Sequence, residues 1–433
     1  MNASVDSVAQ IRALVDAAER SAAAGQGAEA ARILARVQAI APEDPLVLNA
    51  VGAQALRAGD PASARKLLER AIERDASNPA FWVNLASACR GVADADAELV
   101  ALDKALALAP RHILALLQKG SWYEGRGRQK KAAVAYHAAL LCVSAASLPL
   151  ALKPAIEHAL EVVRVNNLAL EGFLQERLRE ARTQKGDEPL ERFDDCFAVL
   201  LGKKRVYVQQ PTFLNFPYLP ALQFYPRSQF PWLEALEAAS EDIRRELLGV
   251  LADDTGGLEP YIAYPDGLPL DQWTELNRSP RWSAYFLWRE GTPEAEHLAR
   301  CPRTAAVLEQ VPRPEVQGHA PGAFFSVLRP QTHIPPHTGV TNTRLTVHLP
   351  LVVPPGCRFR VGSETREVRA GVAWVFDDTI QHEAWNDSEE ARAILIFDIW
   401  NPFLSASERD LLQLMIPGIS DYYEGESPFA APL

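Results

Sequence analysis

The first third of the chain repeats itself every 34 residues, and a unit of that length cannot bury its own apolar face without a neighbour. Small residues recur at Ala18, Gly52, Ala86 and Gly120, and a turn residue recurs at Gly25, Gly59, Ala93 and Gly127. Ala30, Ala64 and Ala132 form a third set, which Glu98 breaks, and Ala71, Ala105 and Ala139 form a fourth. Pro42 and Pro110 close their units, with Ala76 in the equivalent place, and Leu48, Trp82 and Leu116 stand four residues before the small position. Small residues let two helices approach closely, a glycine lets the chain turn between them, and a proline ends the second helix. Stacked helical hairpins are therefore predicted.

In period and positions, residues 11–146 resemble the tetratricopeptide repeat, with four units. The resemblance implies an α-solenoid whose concave groove takes a peptide or protein partner. Arg126, Arg128, Lys130 and Lys131 form a basic cluster near the last turn, which reads as a solvated face, with docking of an acidic peptide as the sharper alternative. Residues 147–203 leave the period but keep an amphipathic helical spacing as far as the breaker at Gly186, and read as a helical connector. His158 falls within it as a surface or packing residue.

Composition narrows the function classes. The net charge of -11 gives no reason to expect nucleic acid as a partner, and 48% hydrophobic with 23% charged residues is ordinary for a soluble globular protein. The five cysteines (89, 142, 196, 301 and 357) are scattered and odd in number, which fits reduced thiols in a cytoplasmic protein. The opening M-N-A-S-V-D-S-V-A-Q has neither a basic start nor an apolar run, so no signal peptide is expected. The uncharged stretch Ala138–Leu152 falls short of a membrane span.

Near residue 204 prolines and aromatics rise and alanine falls, marking a second domain over 204–415 with a C-terminal tail over 416–433. The stretch W-L-E-A-L-E-A-A-S-E-D-I-R-R-E-L-L-G-V-L predicts one helix, and R-W-S-A-Y-F-L-W-R-E-G an aromatic strand whose Trp282 and Trp288 are candidates to line a pocket. Beyond Gly322 come short strands: A-F-F-S-V-L-R, T-R-L-T-V-H-L-P-L-V, C-R-F-R-V, A-W-V-F and A-I-L-I-F-D-I. Alternation places Arg344, Thr346 and His348 on one face and Leu345, Val347 and Leu349 on the other. Arg and His facing into a small barrel require something polar inside it. Many short strands of this kind predict a double-stranded β-helix, a cupin-like jelly roll. The fold class is thus multidomain α + β, a solenoid followed by a jelly roll.

His337, His382 and Arg392 carry the chemistry. The histidines are 45 residues apart, so only the fold can bring them together, and Arg392 follows His382 by ten residues, room for a strand, a turn and the next strand. Two imidazoles for Fe(II), and a guanidinium for the far carboxylate of 2-oxoglutarate, are what a non-haem iron oxygenase needs. The strings H-I-P-P-H-T-G-V-T-N-T-R-L-T-V-H, F-D-D-T-I-Q-H-E-A-W-N-D and F-D-I-W-N-P resemble those of the aspartyl/asparaginyl β-hydroxylase family of Fe(II)/2-oxoglutarate oxygenases. The resemblance spans about Trp282 to Pro402.

It implies His337 and His382 as iron ligands, Arg392 with Ser326 on the distal carboxylate of 2-oxoglutarate, and His348 near the metal-binding end of that co-substrate. It also implies Arg344 on the substrate, with Trp282 beside it. Gly339 stands where a His-x-Asp/Glu triad would put a carboxylate; the resembled family also lacks one there. Thr346 departs from the animal members, which carry a second arginine at that place. Asp377, Asp378 and Glu383 read as turn residues and residues orienting the second imidazole, and His333 as a packed or surface residue. The function implied is hydroxylation of the β-carbon of Asp or Asn in a peptide or protein recruited by the repeats. A small-molecule or lipid hydroxylase, and a repeat scaffold with an inactive oxygenase domain, stand as alternatives.

Overall fold

The computed structural model describes residues 2–143, 150–186, 190–252, 257–267 and 269–423. The chain divides into two compact units, Met1–Gly202 and Lys203–Leu433.

The first unit is helical. Helix α1 (Asn2–Ala23) pairs with α2 (Gly27–Ile40), α3 (Pro45–Arg57) with α4 (Pro61–Arg74), α5 (Pro79–Gly91) with α6 (Ala95–Leu108), and α7 (Ile113–Glu124) with α8 (Gln129–Leu140). The 34-residue sets reappear as buried positions between these helices: Ala18, Ala86, Ala64, Ala132, Ala71, Ala105 and Ala139 are all sealed from solvent. At Gly120 a side chain would collide with the ring of Tyr136, so the local packing demands glycine there. Glu98, the residue that breaks the alanine set, is buried but paired with Arg90 at 2.7 Å.

Each hairpin turns through the same left-handed residue: Gly25 at φ 76°, Gly59 at 80°, Ala93 at 60° and Gly127 at 66°. The following helices begin on side-chain caps. Asp44, Asp60, Asn78 and Asp94 accept backbone N–H groups of the first turn, and a proline occupies the start of α3, α4 and α5. The basic cluster is exposed, with Arg126 lying over the ring of Trp122. The end of the expected repeat span, residues 144–146, lies outside the described residues. Helix α9 (Lys153–Lys185) ends at Gly186, whose φ is 57°, and α10 (Glu191–Leu200) follows. His158 bonds Glu124 at 2.8 Å and meets the edge of the Tyr136 ring, a packing role. Among the described residues no helix is long and apolar enough to cross a membrane.

The second unit opens with α11 (Leu233–Ala238) and α12 (Ser240–Ala252), where a single helix was expected. The break is at Ala239, whose N–H is shared between the carbonyls of Ala235 (3.3 Å) and Leu236 (3.2 Å), tightening one turn. Then come β1 (Glu259–Pro260), β2 (Trp282–Arg289), β3 (Thr292–Pro293), α13 (Ala295–Arg300), α14 (Pro302–Leu308), β4 (Ala323–Leu328), β5 (Thr332–His337), β6 (Arg344–Val352), β7 (Cys357–Val361), β8 (Glu364–Glu367), β9 (Trp374–Phe376), β10 (His382–Asn386), β11 (Arg392–Trp400) and α15 (Ala406–Tyr422). Seven strands form one antiparallel sheet in the order β1-β2-β4-β11-β6-β9, with β3 on β2, and four form another, β5-β10-β7-β8.

The larger sheet is buried on both faces, which is why β4 and β11 read almost continuously apolar. One face, with Tyr285, Leu287, Phe325, Leu345, Val347, Leu349, Leu395 and Phe397, packs on Leu233, Leu236, Ile243, Leu247 and Leu308 of the helices. The other face meets the smaller sheet, where Leu328, Trp374 and Ile394 pack with Ile334, Phe359, Val361 and Ala384. Trp288 belongs to the helix-covered side and lies under Arg313, so it does not line the space between the sheets. Helix α15 runs through residue 416, where a tail was expected, because Leu412 and Ile416 are buried against Trp400 and Leu404. Residues 424–433 of that tail lie outside the described residues. The five cysteines are free thiols, three of them buried.

Candidate active site

His337 closes β5 and His382 opens β10, and the two are direct partners across the antiparallel ladder. Their ring centroids are 4.0 Å apart. Nδ1 of His337 lies 2.8 Å from the carbonyl of Pro335, and Nδ1 of His382 3.1 Å from that of Ile380. A carbonyl only accepts, so each Nδ1 carries the proton and each Nε2 keeps a free lone pair. The main chain, and not a carboxylate, orients both rings. This corrects the orienting role expected of the Asp377, Asp378 and Glu383 carboxylates, while the turn role holds for Asp377 and Asp378. Asp377 accepts from Thr379 Oγ1 at 2.6 Å and from Gln209, while Glu383 bonds His333 at 2.8 Å and pairs with Arg360. His333 itself stacks on Trp385, as a surface residue would.

Aromatic rings wall the pair: Trp273 is 5.1 Å and Trp282 6.3 Å from His337, Phe376 5.3 Å and Phe359 6.0 Å from His382. Burial pushes His337 down to about 4, and burial, with His337 as neighbour, holds His382 well below the usual imidazole range. Both are neutral near pH 7, the state a metal ligand needs. Among the described residues no three His, Cys, Asp or Glu side chains gather at one point. The protein's donors are thus two neutral nitrogens, a set that suits Fe(II) when a chelating keto acid and water complete the shell.

Arg392 opens β11 and is 1% exposed. Its Nε and Nη1 are buried without a partner among the described residues. Burial lowers its pKa to about 10, so it remains a cation at neutral pH. An unpaired buried guanidinium costs several kcal/mol, roughly, unless an anion joins it. Ser326, fully buried on β4, accepts from Trp282 Nε1 at 3.0 Å, which leaves its own hydroxyl hydrogen to donate. His348 faces inward from β6 with Nδ1 unpartnered, between Phe376 (4.8 Å) and Phe359 (4.9 Å). Trp374 Nε1 is likewise buried and unpartnered. Sequence reading passed over this tryptophan, since an aromatic in a short strand signals only core.

Arg344, at the start of β6, is already engaged: Nη1 donates to Asp398 Oδ2 at 2.8 Å and to the His319 carbonyl at 3.1 Å. Asp378 lies against Gly339 and is hydrogen-bonded to Thr346; burial first, then Asp377 and Asp398, push its carboxyl up to about 8. The structure thus gathers His337, His382, His348, Arg392, Ser326 and Trp282 in one interior. Arg344 lies on the same face of β6 as His348, four residues away.

Residues 237–402 match the family described as aspartyl/asparaginyl beta-hydroxylase, and residues 48–88 match a tetratricopeptide repeat. The mouse aspartyl/asparaginyl beta-hydroxylase is 39% identical over 145 residues, 33% of this chain and 19% of that protein. The ornithine lipid ester-linked acyl 2-hydroxylase of Rhizobium tropici is 31% identical over 184 residues, 42% of this chain and 61% of that protein. The matched part therefore spans less than two thirds of either relative. A thermophilic tetratricopeptide repeat protein of Thermus thermophilus, solved by crystallography, aligns with 44% of this chain and 99% of its own at 19% identity and a TM-score of 0.32. With its facing histidines, its two-sheet domain and its helical repeats, the chain carries an aspartyl/asparaginyl β-hydroxylase domain behind N-terminal tetratricopeptide repeats.

Proposed function

We propose that the chain is an Fe(II)- and 2-oxoglutarate-dependent dioxygenase that hydroxylates the β-carbon of Asp or Asn in a peptide or protein, with the repeats recruiting that target. The observation that carries the reading is Arg392: a buried cation with unpartnered nitrogens, in the same interior as two neutral, facing imidazoles. His337 and His382 would hold Fe(II) through Nε2. When bound, the iron supplies the redox chemistry that couples decarboxylation of 2-oxoglutarate to succinate and CO2 with transfer of one oxygen atom of O2 to a substrate C–H bond.

The chain's own residues bind, orient and exclude water. Arg392 gives the distal carboxylate a charge-assisted partner and the Ser326 hydroxyl a second donor, fixing the co-substrate's direction. His348 sits nearer its metal-binding end. Trp273, Trp282, Phe359 and Phe376 keep bulk water from the histidine pair. Arg344 and its partner Asp398 would face the substrate.

A second reading, hydroxylation of a lipid or small molecule, draws support from the likeness to the R. tropici acyl 2-hydroxylase and from Arg344 being already paired, hence less free to take a substrate carboxylate. Incubation with Fe(II), 2-oxoglutarate and candidate substrates decides the class. Fe(II)-dependent succinate is expected, with slow uncoupled turnover even without substrate. Arg392→Met should raise the 2-oxoglutarate requirement by an amount worth about 2–5 kcal/mol while metal binding survives. An iron-loaded protein that makes no succinate with any substrate would favour an inactive scaffold.

A further inference from the structure

We propose that Trp374 is a further co-substrate-binding residue, its indole N–H donating to the distal carboxylate of 2-oxoglutarate beside Arg392. The inference rests on the co-substrate reading above.

In the pairing of β6 with β9, Trp374 lies directly opposite His348, and directly opposite residues of a ladder share a face. The indole is therefore inside, 5.6 Å from the His348 ring and 5.8 Å from Phe359 by centroids. Only 7% of the residue is exposed, and Nε1 has no hydrogen-bond partner among the described residues. A buried indole N–H normally finds an acceptor, because the bond it made to water in the unfolded chain is otherwise lost. Its ring neighbours, Phe359 and His348, do not accept from it in this structure.

Four orphaned nitrogens share this interior: Trp374 Nε1, Arg392 Nε, Arg392 Nη1 and His348 Nδ1. Three of them are donors in any protonation state, and the guanidinium carries a full charge, so the missing partner is an anion with several acceptor oxygens. A carboxylate meets that description. Phe376, the other inward residue of β9, is the one that meets His382, at 5.3 Å; among the described residues no ring contact joins Trp374 to either histidine of the pair. The indole thus packs on His348 and not on the metal-binding pair, and the unpartnered guanidinium of Arg392 in the same interior makes the far carboxylate the acceptor it would meet.

The test is calorimetric titration of the full chain, loaded with redox-inert Mn(II), with 2-oxoglutarate and with 2-oxobutanoate, which keeps the keto acid but lacks the distal carboxylate. Trp374→Phe should weaken 2-oxoglutarate roughly tenfold, the loss of one hydrogen bond to a charged acceptor, and leave 2-oxobutanoate unchanged. Trp374→His, which keeps a ring N–H, should recover part of the preference and serves alone should the phenylalanine variant not fold. Equal loss for both ligands would mean a packing role and overturn the proposal. Undiminished 2-oxoglutarate binding by Trp374→Phe would overturn it while leaving the co-substrate reading intact. Failure of the unsubstituted protein to bind 2-oxoglutarate would overturn both.

Discussion

The carboxylate of Asp378 fills the space that a side chain at Gly339 would occupy, and the Gly339 N–H donates to the Asp378 carbonyl at 2.7 Å. The position two residues after His337 is therefore closed to a third protein ligand by packing as well as by the absence of a side chain. Gly339→Ala should cost about 1–3 kcal/mol through overpacking, read as a lowered midpoint in calorimetry. Gly339→Asp should cost more, since it adds a second carboxylate to a space that already holds one. Tighter metal binding by Gly339→Asp, at unchanged stability, would show that Asp378 yields and that this account of the site is wrong.

Asp378 also predicts a pH dependence. Its folded pKa of about 8 lies above the ordinary value of 3.8, so between these values the folded protein holds a proton that the unfolded chain has released. Stability contributed by this group is complete below the unfolded pKa, declines as pH rises through the window, and is lost above about 8. Asp378→Asn, a neutral isostere, should be near neutral below pH 4 and should raise the melting temperature progressively up to pH 8. Melting curves of both proteins across this range, compared at each pH, give the test. The same gain at pH 5 as at pH 8 would place the effect in packing.

Ala93 takes the left-handed conformation that glycine takes in the three sister turns. Holding a Cβ there costs roughly 1–2 kcal/mol. Ala93→Gly should therefore stabilise the repeats by about 1 kcal/mol, the remainder going to the greater freedom of glycine in the unfolded chain. Chemical denaturation followed by far-UV circular dichroism measures this directly. A loss of stability would mean that the alanine methyl contributes packing.

A chain beginning at Arg205 should fold and bind metal and 2-oxoglutarate, because the barrel's core residues all lie beyond that point. On a short peptide it should match the full chain. On a full-length protein target it should lose efficiency through KM more than kcat, the mark of remote binding that is equal in ground and transition states. Equal KM with and without residues 1–146 would refute recruitment by the repeats.

The repeats were legible because their spacing is set by local contacts: each small residue serves one helix approach, so the sequence carries the period undiluted. The inward face of β6 was legible for a similar reason, since alternation survives in T-R-L-T-V-H-L-P-L-V even where both faces are buried. The strands that carry the histidines were harder. Only the ten-residue interval to Arg392 hinted at β10, and β5 contains two prolines, Pro335 and Pro336. That strand lies at the edge of its sheet, where missing backbone donors are tolerated. The carbonyls that orient the two imidazoles left no trace in the sequence, because a main-chain acceptor has no residue type. The pairing of Arg344 with Asp398, 54 residues away, and the solitude of Arg392 and Trp374 depend on packing, and only coordinates show them.

The four equivalent turns have a consequence for how such a chain can change over generations. Because Gly25, Gly59, Ala93 and Gly127 all bend the backbone the same way, every helical hairpin closes through the same kind of turn. A duplicated or deleted unit would therefore present its neighbours with a surface they already fit. The number of repeats can thus drift by unequal recombination while the β-hydroxylase domain stays untouched, so the length of the helical array and the sequence of the two-sheet domain are heritable separately.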